Sequence, residues 1–175
     1  HEQVGMYAVY ISTHGNMPDL FRNNPYAGEL KDPLLYDVPE EYKEADSKFA
    51  AMLEEAEKYL GYPYVWGGSD PSTSFDCSGF VSWVLVNSAV KDVGRLGATS
   101  LYGALTPIRE DEARPGDIIF FQGTLGEGVE GNDGITHCGI YVGDGMMIHC
   151  GSPISYADLS RTYWQEHFYG YARAY

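Results

Sequence analysis

An α+β domain, with helices first and an antiparallel sheet after them, is what the order of periodicities in this chain predicts. Two stretches before residue 90 repeat their apolar residues at helical spacing, and beyond Pro115-Gly116-Asp117 the pattern turns into short β-type runs. The composition shifts once, near residue 45. Residues 1–45 read as a linker or N-terminal arm, and residues 46–175 as the domain that carries the core.

The arm is rich in Pro, Asn, Tyr and acids, with one β-like run from Met6 to Ser12 and breakers from Gly15 to Pro39. From Asp46 or Ser47 to Leu60 a helix is expected. Phe49, Met52, Leu53, Ala56, Tyr59 and Leu60 share one face, and Gly61 followed by Pro63 stops it. A turn rich in Gly, Pro, Ser and Asp follows, with Ser72, Ser74 and Asp76 as N-cap types. From Cys77 onward Phe80, Val81, Val84 and Leu85 recur at the spacing of a buried helical face, and this helix ends before Asp92. A short helical or irregular patch falls around Thr99 to Leu105. The β runs are Ile118 to Phe121, His137 to Val142, Met146 to Cys150 and Tyr169 to Tyr175. The sequence has no internal repeat.

Composition excludes several function classes. A chain of 175 residues with 44% hydrophobic and 21% charged residues can bury a core of its own. A net charge of −14, with no cluster of Lys and Arg, argues against nucleic acid and against anionic membrane surfaces. No apolar run approaches the roughly 20 residues a membrane span needs. The chain starts at His1-Glu2-Gln3 and reads as a piece of a longer, processed protein.

Chemistry gathers around Cys77. A thiol in the first turn of a helix meets unpaired N–H groups and the positive end of the helix dipole, which favour the thiolate, the nucleophilic form. The plainer role for such a residue is packing, since free Cys is among the most buried types. Partners stand in the β region. His137 and His149 flank a tight turn at Gly143-Asp144-Gly145. With a three-residue loop Val142 faces Met146, Gly139 faces His149 and Cys138 faces Cys150. The two imidazoles are then diagonal neighbours on one face, a base and a group to orient it. A slip of one residue would separate them. Cys138 and Cys150 fall on the far face, as buried thiols or a cross-strand disulfide.

Other motifs carry less. Neighbouring strand residues point to opposite faces, so His137 and Cys138 do not share an ion, and no C-x-x-C knuckle is present; no metal or other cofactor is expected. The run Gly126-Glu127-Gly128-Val129-Glu130-Gly131 matches G-x-G-x-x-G without its strand-turn-helix context, and its two Glu would repel a pyrophosphate. It reads as a loop bordering the cleft. Glu110-Asp111-Glu112 is a solvated turn. Trp66 and Phe75 are read as packing.

Five motifs in order now resemble a known family. Gly61-Tyr62-Pro63-Tyr64-Val65-Trp66-Gly67-Gly68, FDCSGF at 75–80, RPGDIIFF at 114–121, HCGIYVGDG at 137–145 and MIHC at 147–150 are similar to those of the NlpC/P60 cysteine peptidases, papain-like bacterial cell-wall hydrolases. The resemblance covers about Phe49 to Tyr175. It implies a papain-like fold, with N-terminal helices on a central antiparallel sheet. The implied reaction is cleavage of the γ-D-glutamyl–diamino acid bond of peptidoglycan stem peptides. It also implies a nucleophile at Cys77, a general base at His137 and an orienting His149. Tyr64 would help the Cys77 N–H form the oxyanion hole, and Asp76 and Ser78 would receive a substrate amine, with Asp76 also an N-cap. The family usually has Val where Cys138 stands, and Cys138 is expected to face away from the site. The implied setting is extracellular or the bacterial cell envelope, for a monomer following an upstream wall-hydrolase or targeting domain. A Cys–His amidase or acyltransferase on the same scaffold and a non-catalytic wall-binding module are the rival readings.

Overall fold

A computed structural model describes residues 31–175. The β-like run at Met6 to Ser12 lies outside the described residues. Helix α1 spans Glu40–Ala45 and α2 spans Ser47–Glu57, separated by Asp46, whose carboxylate caps α2 by accepting from the N–H groups of Lys48 and Phe49. Helix α2 buries Phe49, Met52, Leu53 and Ala56. It ends three residues before the expected Leu60. Tyr59 and Leu60 continue the chain in i→i−3 hydrogen bonds, a tightened last turn that still buries both side chains, and Gly61 closes it with a φ of 89°.

A two-stranded hairpin, β1 (Ser69–Asp70) and β2 (Ser74–Phe75), leads directly into α3 (Cys77–Asn87). Helix α3 is buried along most of its length, through Phe80, Val81, Val84 and Leu85. Helix α4 (Ala98–Ala104) occupies the patch expected to be helical or irregular. Then come β3 (Thr106–Ile108), a 3₁₀ turn at Glu110–Glu112, β4 (Ile118–Gln122), β5 (Ile135–Gly143), β6 (Met146–Cys150), β7 (Ile154–Asp158), α5 (Thr162–His167) and β8 (Phe168–Arg173). The sheet is antiparallel throughout, in the order β3-β8-β4-β5-β6-β7. This is the α+β class the periodicities predict. The sequence did not single out β3, β7 and α5: β3 and β7 are short and mixed in polarity, and α5 has under two turns to show a period.

Alternation along the strands splits the apolar residues into two groups. Ile118, Phe120, Cys138, Ile140, Val142, Ile148 and Cys150 join the helices in the main core. Ile119, Phe121, Met147 and Tyr171 form a smaller cluster on the other face, closed by Leu159, Trp164 and Phe168. Residues ahead of α2 lie against this body as well: Val38 is buried in the main core, Leu34 accepts a hydrogen bond from the Tyr156 N–H, and the Tyr42 hydroxyl donates to Asp144.

Candidate active site

The site forms where α3 begins beside the start of β5. Helix α3 starts at Cys77 because Asp76 caps it: its extended backbone lets the carboxylate accept from the Gly79 N–H at 2.8 Å. Gly79 is demanded by packing. A Cβ there would lie 2.1 Å from the Gly68 carbonyl oxygen, so only glycine lets the first turn of α3 press against the Gly67-Gly68 segment. The other Asp76 oxygen accepts from the Gly67 N–H at 3.1 Å, tying that segment to the nucleophile's own cap.

The β5–β6 register brings the imidazoles together. Ile140 faces Ile148, the register that also sets Gly139 against His149. The turn itself differs from the expected three-residue loop. Gly143 faces Met146, leaving Asp144 and Gly145, both at positive φ, as a two-residue turn, and Val142 becomes a bulge. A shorter turn and one extra strand residue cancel, so the register downstream is unchanged. His137 Nε2 and His149 Nδ1 are 2.9 Å apart. Trp164 closes over the pair, stacked on His137 at 5.7 Å and edge-on to His149 at 5.1 Å. Gly151 supports His149 from the other side: an added Cβ would lie 2.8 Å from its Cε1. Burial, with the charge of His137 adding to it, holds the His149 pKa well below the usual range, so this ring is neutral.

Cys77 approaches the sheet at a second bulge. Phe121 faces His137 while Gln122 faces Ile135, so Thr136 is the extra residue, and its carbonyl is 3.9 Å from Cys77 Sγ. The thiol sits on the helix side of the sheet and His137 belongs to the other face, next to the strand irregularity that carries the Thr136 carbonyl to the thiol. The Cys77 pKa is lowered well below the ordinary thiol value, by the Cys138 thiol first and then by the His137 imidazole and its charge, against a desolvation cost and the charge of Asp76.

Cys138 therefore does not face away from the site. The alternation is as expected, with His137 and Cys138 on opposite faces. The nucleophile, however, comes from a helix laid on the Cys138 face, so both thiols belong to the main core. Cys150 is equally buried and donates to the Phe75 carbonyl at 3.2 Å; all three cysteines are free thiols.

Tyr64 is bridged to Phe75 just ahead of the nucleophile. Burial and the nearby Cys77 charge raise its pKa, so its hydroxyl stays protonated as a donor. Ser78 is buried next to Asp76. Neither is an open receptor for an amine, because Arg95 already holds both: its guanidinium donates to Asp76 Oδ1 at 2.9 Å and to Ser78 Oγ at 3.1 Å, and further to Ser69 Oγ. Arg95 and Trp164 are the site residues that sequence reasoning missed, each in a segment without periodicity or motif to mark it. Phe75 packs as expected, but Trp66 is 77% exposed. It occupies the second position of a turn closed by the Gly68 N–H onto the Val65 carbonyl, with Gly67 at positive φ, and such a corner aims its side chain at solvent. The G-x-G-x-x-G run lies in the exposed loop between β4 and β5, whose base is tied to Thr136 by the Thr124 N–H and hydroxyl.

Comparison with known proteins adds to this geometry. The NlpC/P60 family model matches residues 61–173. The bifunctional muramidase/DL-endopeptidase CwlT of Bacillus subtilis is 44% identical over 126 residues, 71% of this chain and 36% of that protein. The gamma-DL-glutamyl hydrolase of the same organism is 33% identical over 144 residues, 81% of this chain and 30% of that protein. The chain thus spans about a third of the length of these curated relatives. Among solved structures, a lipoprotein-like NLP/P60 family protein of Staphylococcus aureus aligns with a TM-score of 0.66 at 30% identity, covering 99% of this chain and 61% of that one.

Proposed function

The chain belongs to the NlpC/P60 family, and from that premise we propose that it is a thiol endopeptidase of the bacterial cell wall, cleaving the γ-D-glutamyl–diamino acid bond of peptidoglycan stem peptides. The observation that carries the reading is a pair of imidazoles 2.9 Å apart, the second buried and neutral, beside a helix-start thiol whose pKa is lowered, in part by the first.

In this reading the Cys77 thiolate attacks the γ-carbonyl carbon of the D-glutamyl residue, and the carbonyl oxygen becomes an oxyanion. The Cys77 backbone N–H at the helix start and the Tyr64 hydroxyl donate to it, each such donor contributing about 2.7–4 kcal/mol. His137 gives its proton to the departing amine of the diamino acid, leaving a thioester on Cys77. It then takes a proton from the water that hydrolyses the thioester. When His137 carries the proton, its Nε2–H donates to His149 Nδ1, with the His149 proton on Nε2. A ring that buried and that weakly basic accepts the hydrogen bond without removing the proton. Asp76 and Ser78 would receive a substrate ammonium only by exchanging it for Arg95, so Arg95 sets the cost of admitting stems with a free N-terminus. The muramidase and DL-endopeptidase activities in the name of the CwlT relative support assigning this chain to the extracellular side or the cell envelope, and we assign it there.

Incubation with muropeptides of defined structure, followed by mass analysis, tests the reading. New fragments should end in γ-D-glutamate and begin at the diamino acid. Cys77→Ala and His137→Ala should each lower turnover by at least about 10³-fold with the fold intact. Digestion by either variant would overturn the mechanism, and cleavage at another bond would overturn the assigned substrate in favour of the amidase or acyltransferase reading. No turnover by the unmodified chain would favour a wall-binding module.

A further inference from the structure

The residues on either side of the nucleophile share one cation. Arg95, in the segment between α3 and α4, reaches back to the start of α3, and each of its N–H groups has an acceptor on this chain. Nε donates to Ser69 Oγ at 2.9 Å and Nη1 to Ser78 Oγ at 3.1 Å and the Leu96 carbonyl at 2.7 Å. Nη2 donates to Asp76 Oδ1 at 2.9 Å and to the Gly68 carbonyl at 3.4 Å. Asp76 is as fully engaged. A carboxylate has about four acceptor sites, and the Gly67 and Gly79 N–H groups, the Ser78 hydroxyl and Arg95 supply a donor for each. The two charges are not equally open: the Arg95 side chain is 34% exposed and that of Asp76 is 15%. A ligand arriving at this pair meets the cation before the anion.

We infer that Arg95 decides which stems this enzyme takes: it closes the amine receptor of Asp76 and Ser78, so that the substrate is a stem acylated on its first nitrogen and not one with a free ammonium. The inference rests on the substrate proposed above and adds the chemistry of its N-terminus. An ammonium seated on Asp76 and Ser78 has to displace the guanidinium, which strands a cation that had an acceptor for every N–H, or to sit beside it as a like charge. An acylated nitrogen carries no charge and meets neither obstacle. A stem still joined to its glycan through an amide is of this kind. Discrimination of this form comes from a repulsive element and not from a better contact. The other carboxylates in the two segments that Arg95 bridges, Asp70 and Asp92, are turned to their own loops, accepting from Ser72 and from the Gly94 N–H.

The test compares a stem peptide with a free N-terminus and the same peptide acetylated there, each made with lysine and with diaminopimelate. The ratio of their kcat/KM values cancels the titration of Cys77 and His137, which acts on both. In the unmodified chain the acetylated peptide should be favoured by about tenfold at about pH 6.5, and the preference should fade above about pH 8, where the α-amino group loses its charge. Arg95→Gln, uncharged but still a hydrogen-bond donor, should reverse the preference at the lower pH. Arg95→Lys keeps the charge without the fork and should still favour the acetylated peptide. An Arg95 that only braced the fold would lower both rates and leave the ratio alone. A preference of the unmodified chain for the free amine at the lower pH, a ratio that does not move with pH, or the same ratio in Arg95→Gln would each overturn the inference. The first two need no variant to fold. Where both peptides are cut at the γ-D-glutamyl bond, these outcomes bear on Arg95 alone; where neither is cut there, the proposed substrate falls and this inference with it.

Discussion

The reactivity of Cys77 comes from what surrounds a single sulfur atom. A helix start alone stabilises a thiolate modestly; here the Cys138 thiol and the His137 imidazole lower the pKa further. Alkylation of Cys77 by iodoacetamide should therefore keep its rate well below pH 9, falling only as the pH approaches the lowered pKa. Cys138 and Cys150, whose pKa values are raised by Cys77 and by burial respectively, should stay unlabelled over the same range. Peptide mapping after timed labelling measures this directly. His149 is held as closely as Cys77. Gly151→Ala would place a methyl 2.8 Å from its Cε1, and the ring must move. Since a misplacement of about 1 Å costs on the order of 10²-fold, kcat should fall by about 10- to 100-fold while the melting temperature changes little.

At the scale of elements, each is held by a bond that reaches out of it. Asp117, at the mouth of β4, is 1% exposed and links three segments: it accepts from the Arg114 N–H and pairs with Arg173 on β8 at 2.9 and 3.0 Å. Asp117→Ala leaves a half-buried guanidinium without its partner and opens the turn before β4. A loss of about 2–3 kcal/mol is expected, below the full cost of breaking a buried pair because Arg173 keeps some solvent. Urea unfolding should show a lower midpoint at unchanged slope. The bulges at Thr136 and Val142 act in the same way on geometry. One carries the Thr136 carbonyl to the helix-side thiol; the other absorbs the residue by which the turn is shorter than expected.

The whole molecule stores a pH dependence away from the catalytic groups. Glu57, at the end of α2, accepts from the Tyr156 hydroxyl of β7 at 2.8 Å, yet burial prevails and its pKa rises from 4.5 to about 7. A carboxyl raised in this way holds a proton in the folded chain that the unfolded chain has released. Its contribution is whole below about pH 4.5, declines as the pH rises to about 7, and is gone above that, over a range on the order of 3 kcal/mol. Glu57→Gln should flatten the stability profile in this window and raise the melting temperature at pH 8. Thermal unfolding at half-unit steps of pH measures both.

What the sequence determines by itself here is whatever depends on near neighbours. Helix α2, helix α3 with its Asp76 cap, the four main β runs and the diagonal imidazoles all follow from periods and turn chemistry, which act over a few residues. The family motifs are short runs of the same kind. Only the tertiary structure decides where α3 lies on the sheet, and so that Cys138 shares the nucleophile's core instead of facing away. It alone brings Arg95 onto Asp76 and Ser78, folds Trp164 over both imidazoles and leaves Trp66 in solvent. Those contacts join residues far apart in the chain, and packing sets them by fitting whole faces together. Alternation names the face on which a side chain lies, and only the packing of the other elements shows what that face meets.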